Sequence, residues 1–147
     1  MGDEIDTKAL RARLHATVRV SSLLYGHLLP YVVDKKSVSK VVVLRCEPAA
    51  LKKRLAARRY PPPKVVSNVE AELIGVVSFD AFSKFGPERV AEVDTTQTTP
   101  EEAADSTARF LIGQMVLPRR IDWSLAYDSA ARLASLLDMT PGRGPRT

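Results

Sequence analysis

Arg45, Arg54 and Arg58, followed by Tyr60 and Lys64, are the side chains in this sequence best suited to chemistry. A guanidinium is always charged and offers a planar fork of N–H donors, so it can grip phosphate oxygens two at a time. From Pro48 to Val69 there are six Lys or Arg residues and no acid; Glu70 and Glu72 come only afterwards. Such a run is either a clamp for phosphates or a solvated helix face. Lys52 and Lys53 read as ordinary surface charge, and Tyr60 as a stacking ring or, the favoured reading, as the closure of a hinge. Glu70 and Glu72, two apart on a helix, do not share a face, so they make no catalytic carboxylate pair. The sequence offers no Ser-His-Asp arrangement and no cluster spaced to bind a metal.

The elements that must carry these residues follow from periodicity and punctuation. Asp6 and Thr7 can cap a helix running to Ala16. Val18 to Tyr25 (VRVSSLLY) reads as a strand entering the Gly26-His27 turn, and Pro30 to Ser39 as a loop or short helical turn. Lys40 to Leu44 (KVVVL) is a β-branched run of the kind buried on both faces of a sheet. Pro48 can open a helix, and Pro61, Pro62 and Pro63 must end it. A single helix is expected from Lys64 to about Phe85, stopped by Gly86-Pro87.

Arg89 to Val93 reads as a short strand and Asp94 to Thr98 as a polar loop. Thr99-Pro100-Glu101-Glu102 combines a cap, a first-turn proline and a capping-box glutamate. A last helix from near Asp122 would turn Trp123, Ala126, Ala130, Leu133 and Leu137 inward. Residues 1–139 form one domain in this reading, with a basic, disordered tail at 140–147. Strands separated by helices imply an α/β fold with a mainly parallel sheet, whose ligands gather at the carboxyl ends of the strands. Those ends are Tyr25–His27, Arg45–Glu47 and Asp94–Thr98.

Composition bounds the rest. The 147 residues suffice for one core without staples. Net charge is +5, which favours polyanionic partners. Cys46 is the only cysteine, so an internal disulfide or a cysteine-built zinc site is excluded. That suits a reducing, cytoplasmic setting, and no apolar run is long enough to span a membrane.

Two segments resemble a known family. Val41 to Glu72 is similar to the fourth strand, lid and following helix of the adenylate kinases that double as small-ribosomal-subunit assembly factors in archaea and eukaryotes. The matching residues are Leu44-Arg45, Pro48, Leu51, Arg54-Leu55, Arg58, Tyr60, Lys64, Asn68 and Ala71-Glu72. Val90 to Asp105 resembles the last strand, the adenine-side loop and the start of the final helix. Gly26-His27 falls where the family carries an acid-x-His motif.

The resemblance implies a P-loop nucleoside monophosphate kinase core, with a lid near 58–68 and transfer of phosphoryl from ATP with Mg²⁺ to AMP. It places Arg58, with Arg54, Arg45, Tyr60 and Lys64, on the nucleotide or lid. It places Asp94, Thr95, Thr96 and Gln97 beside adenine, and it makes His27 the candidate to orient a catalytic water or the metal shell. His27 could equally be a satisfied histidine at a sheet edge.

The departures are specific. The family opens with a strand, a GxxxxGK[ST] loop and a helix, yet no glycine here is followed by lysine. Tyr25 stands where the family has an acid, Arg59 replaces the lid glycine, and Ser67 replaces a glutamate. Either the core is N-terminally incomplete, beginning at an internal methionine, or the protein derives from the kinases and has lost their chemistry. The first is favoured because the sheet would otherwise lack its central strand. As written, the chain is expected to be inactive in phosphoryl transfer. The competing expectation is a non-enzymatic adaptor for RNA or a small-subunit ribosomal protein, built on the basic Pro48–Val69 face.

Overall fold

The computed structural model describes residues 5–18, 21–117 and 120–138. In chain order come α1 (Thr7–Thr17), α2 (Leu29–Val32), a 3-10 turn (Lys35–Ser37), β1 (Val41–Arg45) and α3 (Pro48–Ala57). Then follow α4 (Pro62–Ile74), α5 (Val76–Phe85), β2 (Val90–Asp94), α6 (Pro100–Leu111), a second 3-10 turn (Ser124–Tyr127) and α7 (Ala130–Leu137). The strands pair in parallel, with Val41 opposite Val90 and Arg45 opposite Asp94. Helices pack on this sheet, so the α/β class and the parallel pairing are as the sequence implied.

Local chemistry explains most boundaries. Glu47 caps α3 by accepting from the Ala50 amide at 2.8 Å, while Pro48 fills the first position, where no amide is needed. Thr99 and Glu102 form the expected reciprocal capping box on α6. Asp6 caps α1 through the Lys8 and Ala9 amides.

The interior divides in two. Val43 and Val90 of the strands meet Ala81 and Phe85 of α5. A separate cluster joins Leu55 of α3, Val65 and Val69 of α4, and Leu136 of α7. Val65 and Val69 are fully buried, and each such side chain contributes about 1.5–3 kcal/mol. The segment around the three prolines is therefore anchored by its own small core.

Four expectations are corrected. The described part of VRVSSLLY does not form a strand: Val18 ends α1 and residues 21–25 lie outside regular structure, with Leu23 and Tyr25 exposed. Nothing apolar is buried there to offset the entropy of ordering an extended chain. The single helix over 64–85 is two, broken at Gly75, whose φ of 70° is a left-handed conformation that glycine adopts without cost. The last helix also breaks, because Ser129 caps α7 by accepting from the Arg132 amide. Ala126 and Ala130 are consequently exposed, Leu133 and Leu137 half-buried, and Leu136 takes the buried position. KVVVL is covered on one face only, since Leu44 is exposed and β1 has one neighbour among the described residues. The tail at 140–147 lies outside the described residues.

Candidate functional site

The carboxyl ends of β1 and β2 are laced together. The Arg45 carbonyl accepts from both the Thr95 amide (2.8 Å) and the Thr95 hydroxyl (2.7 Å). The Glu47 amide donates to Thr96 Oγ1 at 2.9 Å, and the Asp94 carboxylate accepts from the Thr96 amide at 2.8 Å and from its hydroxyl. From α3, Arg54 reaches across and donates through Nη2 to the Thr95 and Thr96 carbonyls, at 2.7 and 2.9 Å. The structure thus brings together Arg54, Asp94, Thr95 and Thr96, with exposed Gln97 at the end of the loop. With the Thr95 and Thr96 amides engaged, a loop held this way can present the second lone pairs of their carbonyls and the Gln97 backbone to a planar ligand with little reorganisation.

Arg45 points the other way, into the protein. It is 3% exposed, and its Nε lies 2.7 Å from the Glu72 carboxylate while Nη1 lies 2.7 Å from that of Glu92. Nη1 also donates to Ser78 Oγ and the Ile121 carbonyl, and Nη2 to the Glu72 carbonyl. Trp123 donates its indole N–H to Glu72 at 2.9 Å, and the Ile121 amide and Ser78 hydroxyl donate to Glu92. Desolvation works against the Arg45 charge, but its hydrogen bonds to the Glu72 and Glu92 carboxylates outweigh that and raise the pKa. Arg45 acts as a structural cation whose donors are occupied.

The α3–α4 corner carries the remaining cations. Tyr60 donates its amide to the Leu55 carbonyl and Arg59 to that of Ala56, a Schellman closure of α3. Arg59 sits at φ 58°, the one non-glycine positive φ among the described residues. A left-handed residue with a side chain costs roughly 1–2 kcal/mol, so this corner keeps a glycine-like backbone under an arginine. Arg58 and Arg59 are exposed, and neither guanidinium has a hydrogen bond or ion pair among the described residues. The Lys64 ammonium lies 5.2 Å from the centre of the Tyr60 ring, stiffening the corner together with Pro61 and Pro62.

His27 is exposed ahead of α2 and makes no hydrogen bond to the other candidate residues. Cys46 is buried; loss of solvation pushes its thiol pKa up.

Sequence reasoning missed two polar contacts. The first is the Glu72–Glu92–Ser78 shell around Arg45; Glu92, an acid set between the apolar Ala91 and Val93, was the available signal. The second is Tyr127, whose hydroxyl donates to Glu47 and accepts from the Ala49 amide at 3.2 Å. Burial, then the Glu47 hydrogen bond, pushes the Tyr127 pKa up to about 12. Desolvation opposes the Glu47 charge, but hydrogen bonds from Tyr127 and the Ala50 and Ala49 amides hold its pKa below the ordinary value. These residues flank a groove of ≈ 650 Å³ between α3 and α7. Lys52 bridges its far end by donating to the Ser135 and Asp138 carbonyls.

No protein-family model matches the chain. It is, however, similar to archaeal proteins named "Putative adenylate kinase". That of Methanothermobacter thermautotrophicus is 46% identical over 83 residues, covering 56% of this chain and 48% of the relative. That of Thermococcus onnurineus is 37% identical over 117 residues, covering 79% and 62%. For Thermococcus kodakarensis the figures are 34% over 129 residues, 85% and 68%. The chain thus spans about half to two thirds of the length of these curated relatives. With identity sustained over most of its length, the chain belongs to the family of these archaeal adenylate kinases.

Proposed function

We propose that this chain supplies the lid and the base-side loop of a site for ATP-to-AMP phosphoryl transfer. The observation that carries the reading is the division of labour along α3. Arg54 holds the 94–97 loop at the strand ends, while Arg58, one turn on, is exposed and has no partner among the described residues. In this reading the Gln97 backbone, with the second lone pairs of the Thr95 and Thr96 carbonyls, reads the adenine edge, since the Thr95 and Thr96 amides are already engaged. Arg58 meets nucleotide phosphates, Tyr60 and Lys64 set the hinge, and Arg45 anchors the sheet end.

The residues present do not fit a resident Mg²⁺. Among the described residues no three His, Cys, Asp or Glu side chains gather, and the Asp94 carboxylate accepts from Thr96. An ion arriving with ATP would take its other ligands from the phosphates and water. No GxxxxGK[ST] occurs in these 147 residues, so the amides and lysine that cradle the transferred phosphate are lacking. The 147-residue polypeptide is therefore inactive by itself but binds adenine nucleotide. A coupled assay with ATP, AMP and Mg²⁺ tests the first half, and turnover overturns it. Calorimetry with ATP tests the second, and the absence of binding heat overturns that.

A second reading is favoured by the acid-free run of cations from Pro48 to Val69. It makes the same face a binding surface for small-subunit ribosomal RNA or one of its proteins. Binding driven by phosphates must weaken steeply between about 50 and 200 mM salt. A flat salt dependence removes this reading.

A further inference from the structure

The backbone after α3 asks for glycine, and an arginine stands there. Arg59 holds φ 58° while its amide and that of Tyr60 close the helix end. Strain of this sort persists only where the surroundings over-determine it, and it collects at ligand clamps. One ordinary explanation is charge at the negative end of a helix. That explanation needs nothing at position 59, because Arg54 and Arg58 already charge the last turn of α3 and its cap.

Arg58 (φ −83°, ψ 7°) followed by left-handed Arg59 also sets successive amides around a concavity that elsewhere binds anions. Here the amides of residues 58, 59 and 60 already donate to the carbonyls of Arg54, Ala56 and Leu55. Recognition of an anion is therefore left to the two side chains. Both are exposed and unpaired among the described residues, and no acid lies between Pro48 and Val69 to compete for them.

We propose that Arg58 and Arg59 act as a double guanidinium clamp for a chain of at least two linked phosphates. Each fork suits one phosphoryl group, so Arg59 gives this lid a preference for polyphosphate over monophosphate. The inference rests on the lid reading above and adds to it a residue at which this chain departs from its family.

The test is calorimetry on the full chain with ATP, inorganic tripolyphosphate and AMP, comparing Arg58→Ala, Arg59→Gly and Arg59→Lys. Arg59→Gly is expected to weaken ATP and tripolyphosphate about tenfold and to change AMP by less than about twofold. Arg59→Lys, which keeps the charge without the fork, should fall between. Glycine fits the backbone, so an undiminished thermal midpoint shows that the lost affinity is not lost folding.

If Arg58→Ala weakens ATP while Arg59→Gly binds it as tightly as the parent, the clamp is overturned and the lid reading stands. If the parent chain binds neither ATP nor tripolyphosphate, both fall. If Arg59→Gly weakens a single-stranded RNA oligomer but not tripolyphosphate, the clamp is overturned in favour of an RNA surface.

Discussion

The Arg45 guanidinium lies 2.7 Å from the Glu92 carboxylate, an ion pair between neighbouring strands with side chains only 3% and 1% exposed. Removing one member leaves the other charged and desolvated. Arg45→Met is expected to cost about 3–5 kcal/mol, the usual penalty for breaking a buried pair. Replacing Arg45, Glu72 and Glu92 together by apolar residues of similar size should recover much of that loss. Urea unfolding of the two variants checks it, and a single variant as stable as the parent contradicts the role.

The Tyr127–Glu47 contact predicts a stability profile at both ends of the pH scale. Glu47 has a lowered folded-state pKa, so its contribution is present above the unfolded carboxylate value and is lost as pH falls through the folded one. Tyr127 is raised from 10.0 to about 12, so the folded state holds its proton more tightly. That contribution is complete below pH 10.0 and disappears as pH rises toward about 12. Denaturation midpoints measured across both windows should fall at each end. Tyr127→Phe should flatten the alkaline fall and reduce the acid one.

Arg59→Gly trades a strained residue for one at ease with positive φ. Relief of about 1–2 kcal/mol is offset by the larger entropy of an unfolded glycine chain, for a net gain of about 0.5–1 kcal/mol. The thermal midpoint should rise by about 2–4 °C. A fall would mean that the arginine side chain makes a stabilising contact.

Arg54→Ala removes the tie between α3 and the 94–97 loop. Hydrogen bonds from a charged donor are worth about 1.5–3 kcal/mol when buried, and exposure of this guanidinium reduces the expected loss to about 1 kcal/mol. Amide exchange at Thr95 and Thr96 should quicken while that of β1 changes little. Equal protection in both proteins would assign the loop's order to Thr95 and Asp94 alone.

What was legible in the sequence was whatever local chemistry decides. Thr99-Pro100-Glu101-Glu102 announces α6, and the proline run marks the break after α3, with Pro61 capping α4 and Pro62 and Pro63 in its first turn. The strand at Val90 and the parallel pairing followed from valine runs between helices. Gly75 was legible in principle, but an apolar pattern on both sides hid the break that its positive φ makes. VRVSSLLY has strand-forming residues and no buried face, which only tertiary context reveals. For the site, the cations could be counted but not sorted. Arg45 turns inward to two acids, Arg54 holds a loop, and Arg58 with Arg59 faces solvent. Contacts spanning residues 45 to 92, or 47 to 127, leave no local trace.

The pairing of β1 with β2 has a kinetic consequence. Residues 46–89 lie between the two strands, so every rung of the sheet closes a long loop. The α3–α4 hairpin, by contrast, closes through near neighbours in the chain. Folding should begin at that hairpin and end with the sheet, since distant pairings carry their entropic cost before any rung forms. Until the strands meet, Arg45 and Glu92 remain separate charges in water. Burying them is then a late, cooperative event that seals β1 against β2.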